Sequence, residues 1–233
     1  MDGVLYALGG HGATRNGAIS TVEEYNIAEQ SWGVVARDMQ TRDSMGCTTC
    51  RGSIVVVGGY LWNQDGSNNL RRGSNTSASS SSSTTTTAAA AAASNGSVTA
   101  DWDTAAAGIA ALTPSTPSTA APSLPVKVPT GSVEGYCPAT KQWTTYPSLP
   151  APRFGLACVQ VDDKIYAIGG ESDVLEPVNT MFVLEPGAAA WRETAGMRTP
   201  RARPGAAVVD GLIYVCGGSD GSDTQLNTVE VRD

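Results

Sequence analysis

The sequence has 233 residues, of which 41% are hydrophobic, and it carries a formal net charge of −7 at pH 7. That content suffices for one domain-sized core, whereas the acidic balance argues against binding to nucleic acid or to an anionic membrane surface. No apolar run reaches the length of about 18 residues that a membrane span needs. Five cysteines at no disulfide-scaffold spacing, with no basic leader after Met1, predict a cytoplasmic protein.

Four short apolar runs end in paired glycines, as in "DDKIYAIGG" at 162–170. The second glycines are Gly10, Gly59, Gly170 and Gly218, which lie 49, 111 and 48 residues apart. Two spacings agree, and the third equals one period plus about 62 residues. β-Branched and aromatic runs stopped by glycine predict strands, so the chain is expected to repeat one β-unit with a long insertion.

Other landmarks keep the same register. A tryptophan precedes an arginine by ten residues in three copies, and the residue seven positions before that tryptophan is Tyr25, Tyr136 or Leu184. The three pairs are Trp32 with Arg42, Trp143 with Arg153 and Trp191 with Arg201. The pattern predicts four short strands per period, which is the unit of a β-propeller blade. The tryptophans are expected to fill equivalent wedge positions between blades.

The hydrophobic-Tyr-x-x-Gly-Gly strand, the "NTVEVRD" strand at 227–233 and the spaced Tyr, Trp and Arg resemble the kelch repeat over roughly residues 2–62 and 130–233. The resemblance implies an all-β, kelch-type β-propeller whose strands follow in the order b, c, d and then a of the next blade. The residues outside the insertion predict an incomplete propeller of about three and a half four-stranded blades. Its open edges would permit self-association.

The insertion changes the composition completely. Residues 67–129 are rich in Ser, Thr, Ala and Pro, as in "SASSSSSTTTTAAAAAA" at 77–93. Such a segment cannot bury a core, so we expect a disordered, removable loop between strands b and c of the second blade. The predicted organisation is therefore kelch blades at 1–66, the insertion at 67–129 and further kelch blades at 130–233.

Catalytic chemistry is not readable from the sequence, so no enzyme activity and no cofactor are expected. The "CTTC" motif at 47–50 is typical of redox or zinc sites. In the repeat register, however, Cys47 corresponds to Cys158 and Cys50 to Val161, which are strand-a packing positions. Residues three apart on a strand also point to opposite faces, which is poor geometry for binding one metal.

Binding is the function that the resemblance implies. In kelch proteins of the substrate-adaptor type, partners dock on the propeller mouth, and arginines before strand a grip acidic motifs. The carried-over positions are the arginines and the residues that follow them, where the family often has serine: Arg42, Arg153 and Arg201, with Asp43, Phe154 and Ala202. Guanidinium groups suit bidentate carboxylate recognition. The alternative is that each arginine ties its turn to an adjacent blade, and both roles are compatible.

The b–c loops are the second candidate recognition surface, because they differ between copies while the strands do not. They span 11–21, 171–179 and 219–227. The leading hypothesis is a protein–protein interaction module for a protein or peptide partner of acidic character, in the role of the substrate-recognition part of a ubiquitin-ligase adaptor. The alternative hypothesis is the remnant of a kelch-type enzyme or sugar-binding protein similar to galactose oxidase.

Overall fold

The computed structural model describes residues 4–12, 19–63, 126–222 and 225–232, all of which belong to one compact unit. These residues contain no helix, and therefore none long and apolar enough to cross a membrane. The strands, in chain order, are β1 Leu5–Leu8, β2 Val22–Asn26, β3 Ser31–Ala36, β4 Arg42–Asp43, β5 Gly46–Cys50, β6 Ser53–Val57, β7 Tyr60–Asn63, β8 Val126–Pro129, β9 Val133–Cys137, β10 Gln142–Tyr146, β11 Ala157–Val161, β12 Lys164–Ile168, β13 Met181–Leu184, β14 Arg192–Thr194, β15 Gly205–Val209, β16 Leu212–Cys216 and β17 Val229–Arg232.

Four antiparallel sheets follow one another as blades. Blade 1 is β1-β2-β3, blade 2 is β5-β6-β9-β10, blade 3 is β11-β12-β13-β14 and blade 4 is β15-β16-β17. Blades 2 and 3 have all four strands, a to d. In the described residues blade 1 consists of b, c and d, and blade 4 of a, b and c. The fourteen blade strands amount to three and a half blades, so the predicted series of four-stranded blades is confirmed.

The core lies between the blades rather than within one sheet. One cluster joins Val55 and Val57 of blade 2 to Phe182 and Trp191 of blade 3. A second cluster joins blades 3 and 4, and a third joins blades 1 and 2. Because alternate residues of a strand point to opposite faces, each blade has two apolar faces available for its neighbours. Burial of these faces stabilises the fold at about 25 cal/mol per Å² of apolar area.

The three tryptophans keep the predicted register, but their burial differs. Tyr25 lies opposite Trp32 and Tyr136 lies opposite Trp143 across strands c and d, with ring centroids 5.1 Å apart in both pairs. Trp191 comes directly before β14, is buried, and donates from Nε1 to the Pro147 carbonyl of blade 2 at 2.7 Å.

Trp32, by contrast, is 46% exposed. The expectation that all three tryptophans fill a wedge between blades is therefore wrong for Trp32. The physical reason is that Trp191 faces the preceding blade, whereas no blade precedes blade 1 among the described residues. Blade 4 exposes Val209, Val229 and Val231 at the other end of the series.

A fifth sheet, β4-β7-β8, was not expected from the repeat. Its strand β8, Val126–Pro129, pairs with β7, Tyr60–Asn63, so that Trp62 lies opposite Lys127. The composition places Val126–Pro129 at the end of the insertion, whereas the structure has these residues in a paired strand, which corrects that boundary. Residues 64–125, which include the rest of the predicted insertion, lie outside the described residues.

Candidate functional site

The mouth of the propeller is the end at which every strand b finishes in its glycine pair. Both glycines of blade 2 have positive φ, +62° at Gly58 and +97° at Gly59. A Cβ atom would stand 2.5 Å from the Arg153 carbonyl oxygen at Gly58 and 2.6 Å from the Asp43 carbonyl oxygen at Gly59. Only glycine permits this conformation and this approach together. The paired glycines therefore let the backbones of successive blades meet at the mouth.

Backbone hydrogen bonds link each blade to the next at this end. The second glycine of a pair donates its N–H to the carbonyl of the arginine that precedes strand a of the following blade. The three bonds are Gly10 to Arg42 at 3.1 Å, Gly59 to Arg153 at 2.8 Å and Gly170 to Arg201 at 2.8 Å. Further backbone bonds between the turns before strand a run through Gly155 of blade 3. Its N–H donates to the Ser44 carbonyl of blade 2 at 2.6 Å, and its carbonyl accepts from the Arg203 N–H of blade 4 at 2.8 Å.

The predicted arginines lie beneath this network and are almost fully enclosed. Arg42 and Arg201 are 0% exposed and Arg153 is 3% exposed. Each donates from Nη1 to two carbonyls of its own blade, that of the first glycine after strand b and that of the residue before strand c. The acceptors are Gly58 and Ser132 for Arg42, Gly169 and Thr180 for Arg153, and Gly217 and Thr228 for Arg201.

Two of the arginines also have a carboxylate partner. Glu134 accepts from Arg42 at 2.8 Å and Glu230 accepts from Arg201 at 3.1 Å. Both glutamates are the second residue of their strand c. Burial by itself raises the pKa of Glu230, but hydrogen bonds from the Arg198 N–H, the Arg201 guanidinium and the Thr199 N–H outweigh that effect, so its pKa is lowered. Burial lowers the pKa of Arg42, and Glu134 counteracts part of this effect.

Arg153 differs from the other two. The second residue of strand c in blade 3 is Phe182, whose ring centroid lies 4.4 Å from the guanidinium carbon. No ion pair to Arg153 occurs within the described part of the chain. Burial lowers the pKa of Arg153 to about 10, and the more distant charge of Glu193 opposes that shift. A cation–π contact thus replaces the salt bridge of the other blades.

The geometry favours the structural interpretation of the arginines over direct partner contact. Asp43, Phe154 and Ala202, the other predicted site residues, are also 4% exposed or less. Phe154 bridges to Glu171 and Ala202 bridges to Ser219, so these positions pin the turns before strand a to the b–c loops. All six residues lie at one end of the molecule and are buried within its frame.

The β7–β8 hairpin places a cluster of rings and charges at the mouth that the sequence interpretation missed. Lys127 Nζ lies 4.4 Å from the Tyr60 ring centroid, 5.2 Å from that of Trp62 and 3.1 Å from Asp43 Oδ1. Trp62 Nε1 donates to Asp43 Oδ2 at 2.7 Å. The sequence does contain an indication of this cluster, which is "YLW" directly after a glycine pair. Alternation places the rings of Tyr60 and Trp62 on one face of a strand.

The b–c loop of blade 3 supplies the most exposed apolar residues at the mouth. Val174 is 67% exposed and Leu175 is 63% exposed, and Leu175 has a φ of +64°. This loop is held by backbone bonds between Ser172 and Glu176 and between Gly170 and Val178. Its tip therefore presents two adjacent apolar side chains on an ordered base.

Cys47 and Cys50 do not converge. They lie three residues apart on β5, and Cys50 is buried while Cys47 is exposed. Burial raises the pKa of the Cys50 thiol, which disfavours the thiolate that metals and disulfide exchange require. In the part of the chain that the structure describes, no group of three or more His, Cys, Asp or Glu could hold a metal ion.

Comparison with known proteins agrees with this architecture. A family model described as the Kelch motif matches residues 152–198 and 200–231, which correspond to blade 3 with its preceding turn and to blade 4. The chain is also similar over 94% of its length to a solved structure reported as "Structure of YjhT", with a TM-score of 0.58 and 15% sequence identity. This likeness covers 56% of that structure and concerns the fold.

Curated relatives carry kelch names. Kelch-like protein 23 of Mus musculus is 33% identical over 102 residues, 43% of this chain and 17% of the relative. Kelch-like ECH-associated protein 1B of Danio rerio is 36% identical over 100 residues, 42% of this chain and 17% of the relative. Kelch-like protein 35 of Mus musculus is 22% identical over 94% of this chain, which is 26% of the relative. The chain thus spans about a quarter or less of these relatives, and the Kelch motif is matched within blades 3 and 4.

Proposed function

We propose that the chain is a protein–protein interaction module that binds a partner protein or peptide at the propeller mouth. The observation that carries the proposal is the exposed Val174–Leu175 tip, which stands on a mouth framed by a buried arginine in each of blades 2, 3 and 4. Exposed apolar side chains on an ordered loop are suited to partner contact. The kelch-like names of the relatives support the same class of function.

The partner's acidic character is not part of this proposal. That prediction depended on Arg42, Arg153 and Arg201, whose guanidinium groups are enclosed by the chain's own carbonyls. Their role in the proposal is to fix the positions of the loops that contact the partner. A kelch-type enzyme or sugar-binding protein has no specific observation in its favour here, so a single function is proposed.

The finer proposal is that the module recognises substrates for a ubiquitin-ligase adaptor in the cytoplasm. It is supported by the likeness to adaptor-type kelch-like proteins and by the five cysteines, all of which are free thiols. In the whole protein, loss of the recognition surface should then raise the steady-state abundance of the bound partner in cells. Unchanged abundance with abolished binding would argue against the adaptor role.

The test of the interaction itself uses two matched surface changes. Val174→Ser with Leu175→Ser removes the apolar tip at the mouth, whereas Ile27→Ser removes a side chain that is 69% exposed in the c–d turn at the opposite end. The chain, immobilised and incubated with cell extract, should retain a protein that the double variant loses and the Ile27 variant keeps. Equal recovery by all three chains would contradict the proposal.

A further inference from the structure

We infer that Tyr60, Trp62 and Asp43 form a binding site for the ammonium group of a partner's lysine, and that Lys127 fills this site in the unbound chain. The inference rests on the proposed function, since it names a chemical group of the partner that the mouth recognises. Two aromatic faces and one carboxylate around a single ammonium are the elements of cation recognition. Lys127 Nζ shows that the space accepts such a group.

The walls of the site are held by contacts that do not involve Lys127. The Tyr60 ring lies against Phe154 with centroids 3.9 Å apart, and the Trp62 ring stacks on His11 with centroids 5.3 Å apart. Asp43 is 4% exposed and accepts hydrogen bonds from Trp62 Nε1 at 2.7 Å and from Ser44 Oγ at 2.9 Å. A site whose walls are fixed before binding loses little entropy when its ligand enters.

The Asp43 carboxylate is suited to a positive ligand. Its burial alone raises the pKa, but hydrogen bonds from Trp62, Lys127 and Ser44 and the charge of Lys127 outweigh that effect, so its pKa is lowered. Asp43 therefore remains ionised at neutral pH. An ionised carboxylate at 4% exposure requires a compensating cation, which either Lys127 or an incoming lysine supplies.

Lys127, in contrast, is the replaceable member of the cluster. Its side chain is 38% exposed and it extends from β8, which is hydrogen-bonded to β7 on one side. The partly exposed Lys127 side chain can turn to solvent when another ammonium takes its place, because the buried Asp43 carboxylate then keeps a cationic partner. The chain's net charge of −7 adds a favourable long-range field for a cationic partner.

The contact distances select a primary ammonium over a quaternary one. Nζ of Lys127 approaches Asp43 Oδ1 to 3.1 Å, which is a hydrogen-bond distance that needs an N–H donor. A trimethylated lysine has no N–H to donate, so it would retain the ring contacts and lose the carboxylate bond. The expected order of binding is therefore lysine above trimethyllysine above glutamine.

The experiment removes the Lys127 ammonium from the site and then adds short peptides that contain lysine or a lysine analogue. Lys127→Met keeps a long apolar side chain and removes the ammonium. The probes are acetyl-Gly-Lys-Gly-amide and its trimethyllysine and glutamine counterparts, and the readout is the indole N–H resonance of Trp62, assigned by its loss in Trp62→Phe. The lysine probe should bind the Lys127 variant about tenfold more tightly than the wild-type chain, because the internal competitor is gone.

A second change tests the carboxylate. Asp43→Asn in the Lys127→Met background keeps an acceptor for the Trp62 indole, removes the negative charge and should abolish the preference for lysine over glutamine. Lys127→Gln replaces Lys127→Met if the latter disturbs the remaining resonances. If the Trp62 indole resonance of a well-folded variant does not shift with any of the three probes, the inference is wrong and the cluster is an internal contact only.

The two proposals can fail separately. If no lysine probe binds but a protein is still captured through Val174 and Leu175, the ammonium site is wrong and the interaction function stands. If the lysine probe binds but no protein depends on the Val174–Leu175 tip, the ammonium site stands and the proposed partner surface is wrong.

Discussion

Blades 3 and 4 each contain a buried arginine at the mouth, but the side chain that faces its guanidinium group differs between them. Both place a buried arginine under the carbonyls that end strand b and begin strand c. Blade 4 adds Glu230 as a counter-ion, whereas blade 3 has the Phe182 ring at that position. The shared feature is the pair of carbonyl acceptors, so the geometric role of the arginine is common to both blades. The charge partner can change without loss of the repeat.

The largest expected effect comes from removing each arginine in turn. Arg201→Met should lower the free energy of unfolding by about 3–5 kcal/mol, because it leaves the Glu230 carboxylate and two carbonyl groups without their guanidinium partner. Arg153→Met should cost about 1–2 kcal/mol, since it loses hydrogen bonds but also removes a buried charge without a salt bridge, and methionine packs well on Phe182. Urea unfolding of both variants measures the difference.

Equal losses in the two variants would show that the carbonyl bonds alone determine the stability of the mouth. A larger loss for Arg153→Met would reverse the comparison and mean that the cation–π contact is worth more than the salt bridge.

The second effect is an energetic coupling between position 182 and Arg153, which should arise when blade 3 receives the glutamate that blade 4 has at the corresponding position. Phe182→Glu removes a buried ring from the core between blades 2 and 3 and supplies a carboxylate beside Arg153. The substitution should therefore be tolerated far better with Arg153 present than in the Arg153→Met background. A double-mutant cycle should give a coupling of about 1.5–3 kcal/mol. Additive losses would mean that the introduced carboxylate does not reach Arg153.

A smaller effect is expected when the charge of blade 4 is neutralised. Glu230→Gln can keep one oxygen as the acceptor for the Arg201 guanidinium and the Thr199 N–H, but it loses the second oxygen, which accepts from the Arg198 N–H. The free energy of unfolding should fall by about 1–2 kcal/mol, which is less than for Arg201→Met. Thermal unfolding measures this loss. Glu185→Gln is the control, because Glu185 is an exposed salt-bridge partner of Arg192 and its neutralisation should leave the stability nearly unchanged.

The smallest effect is a difference in acid sensitivity. The pKa of Glu230 is lowered in the folded chain, so this group binds its proton more readily after unfolding. Its contribution to stability is therefore present above the unfolded pKa of about 4.3 and is lost as the pH falls through the lower folded pKa. Between pH 5 and about pH 3, the wild-type chain should lose more stability than Glu230→Gln. Parallel pH profiles of the two chains would refute this assignment.

The sequence by itself determined the repeat, the strand order and the positions that the mouth requires. Glycine pairs, cross-strand Tyr and Trp and the recurring arginines are local patterns, because backbone conformation and alternation are local properties. The burial of Trp32 was mispredicted since it depends on a neighbouring blade rather than on its own strand. The exchange of glutamate for Phe182 was visible as "NTMFV" beside "NTVEV", but only the fold shows which side chain faces Arg153.

Only the tertiary structure decided what the candidate residues do. Arginines at a repeated offset suit both partner contact and internal bonding, and the choice depends on whether carbonyls of the same blade reach them in three dimensions. The cluster of Tyr60, Trp62 and Lys127 could not be predicted because Lys127 lies more than 60 residues after the two rings in the sequence and meets them through the β7–β8 pairing. Long-range pairing is set by the whole fold, whereas a sequence pattern reports only the neighbours along the chain.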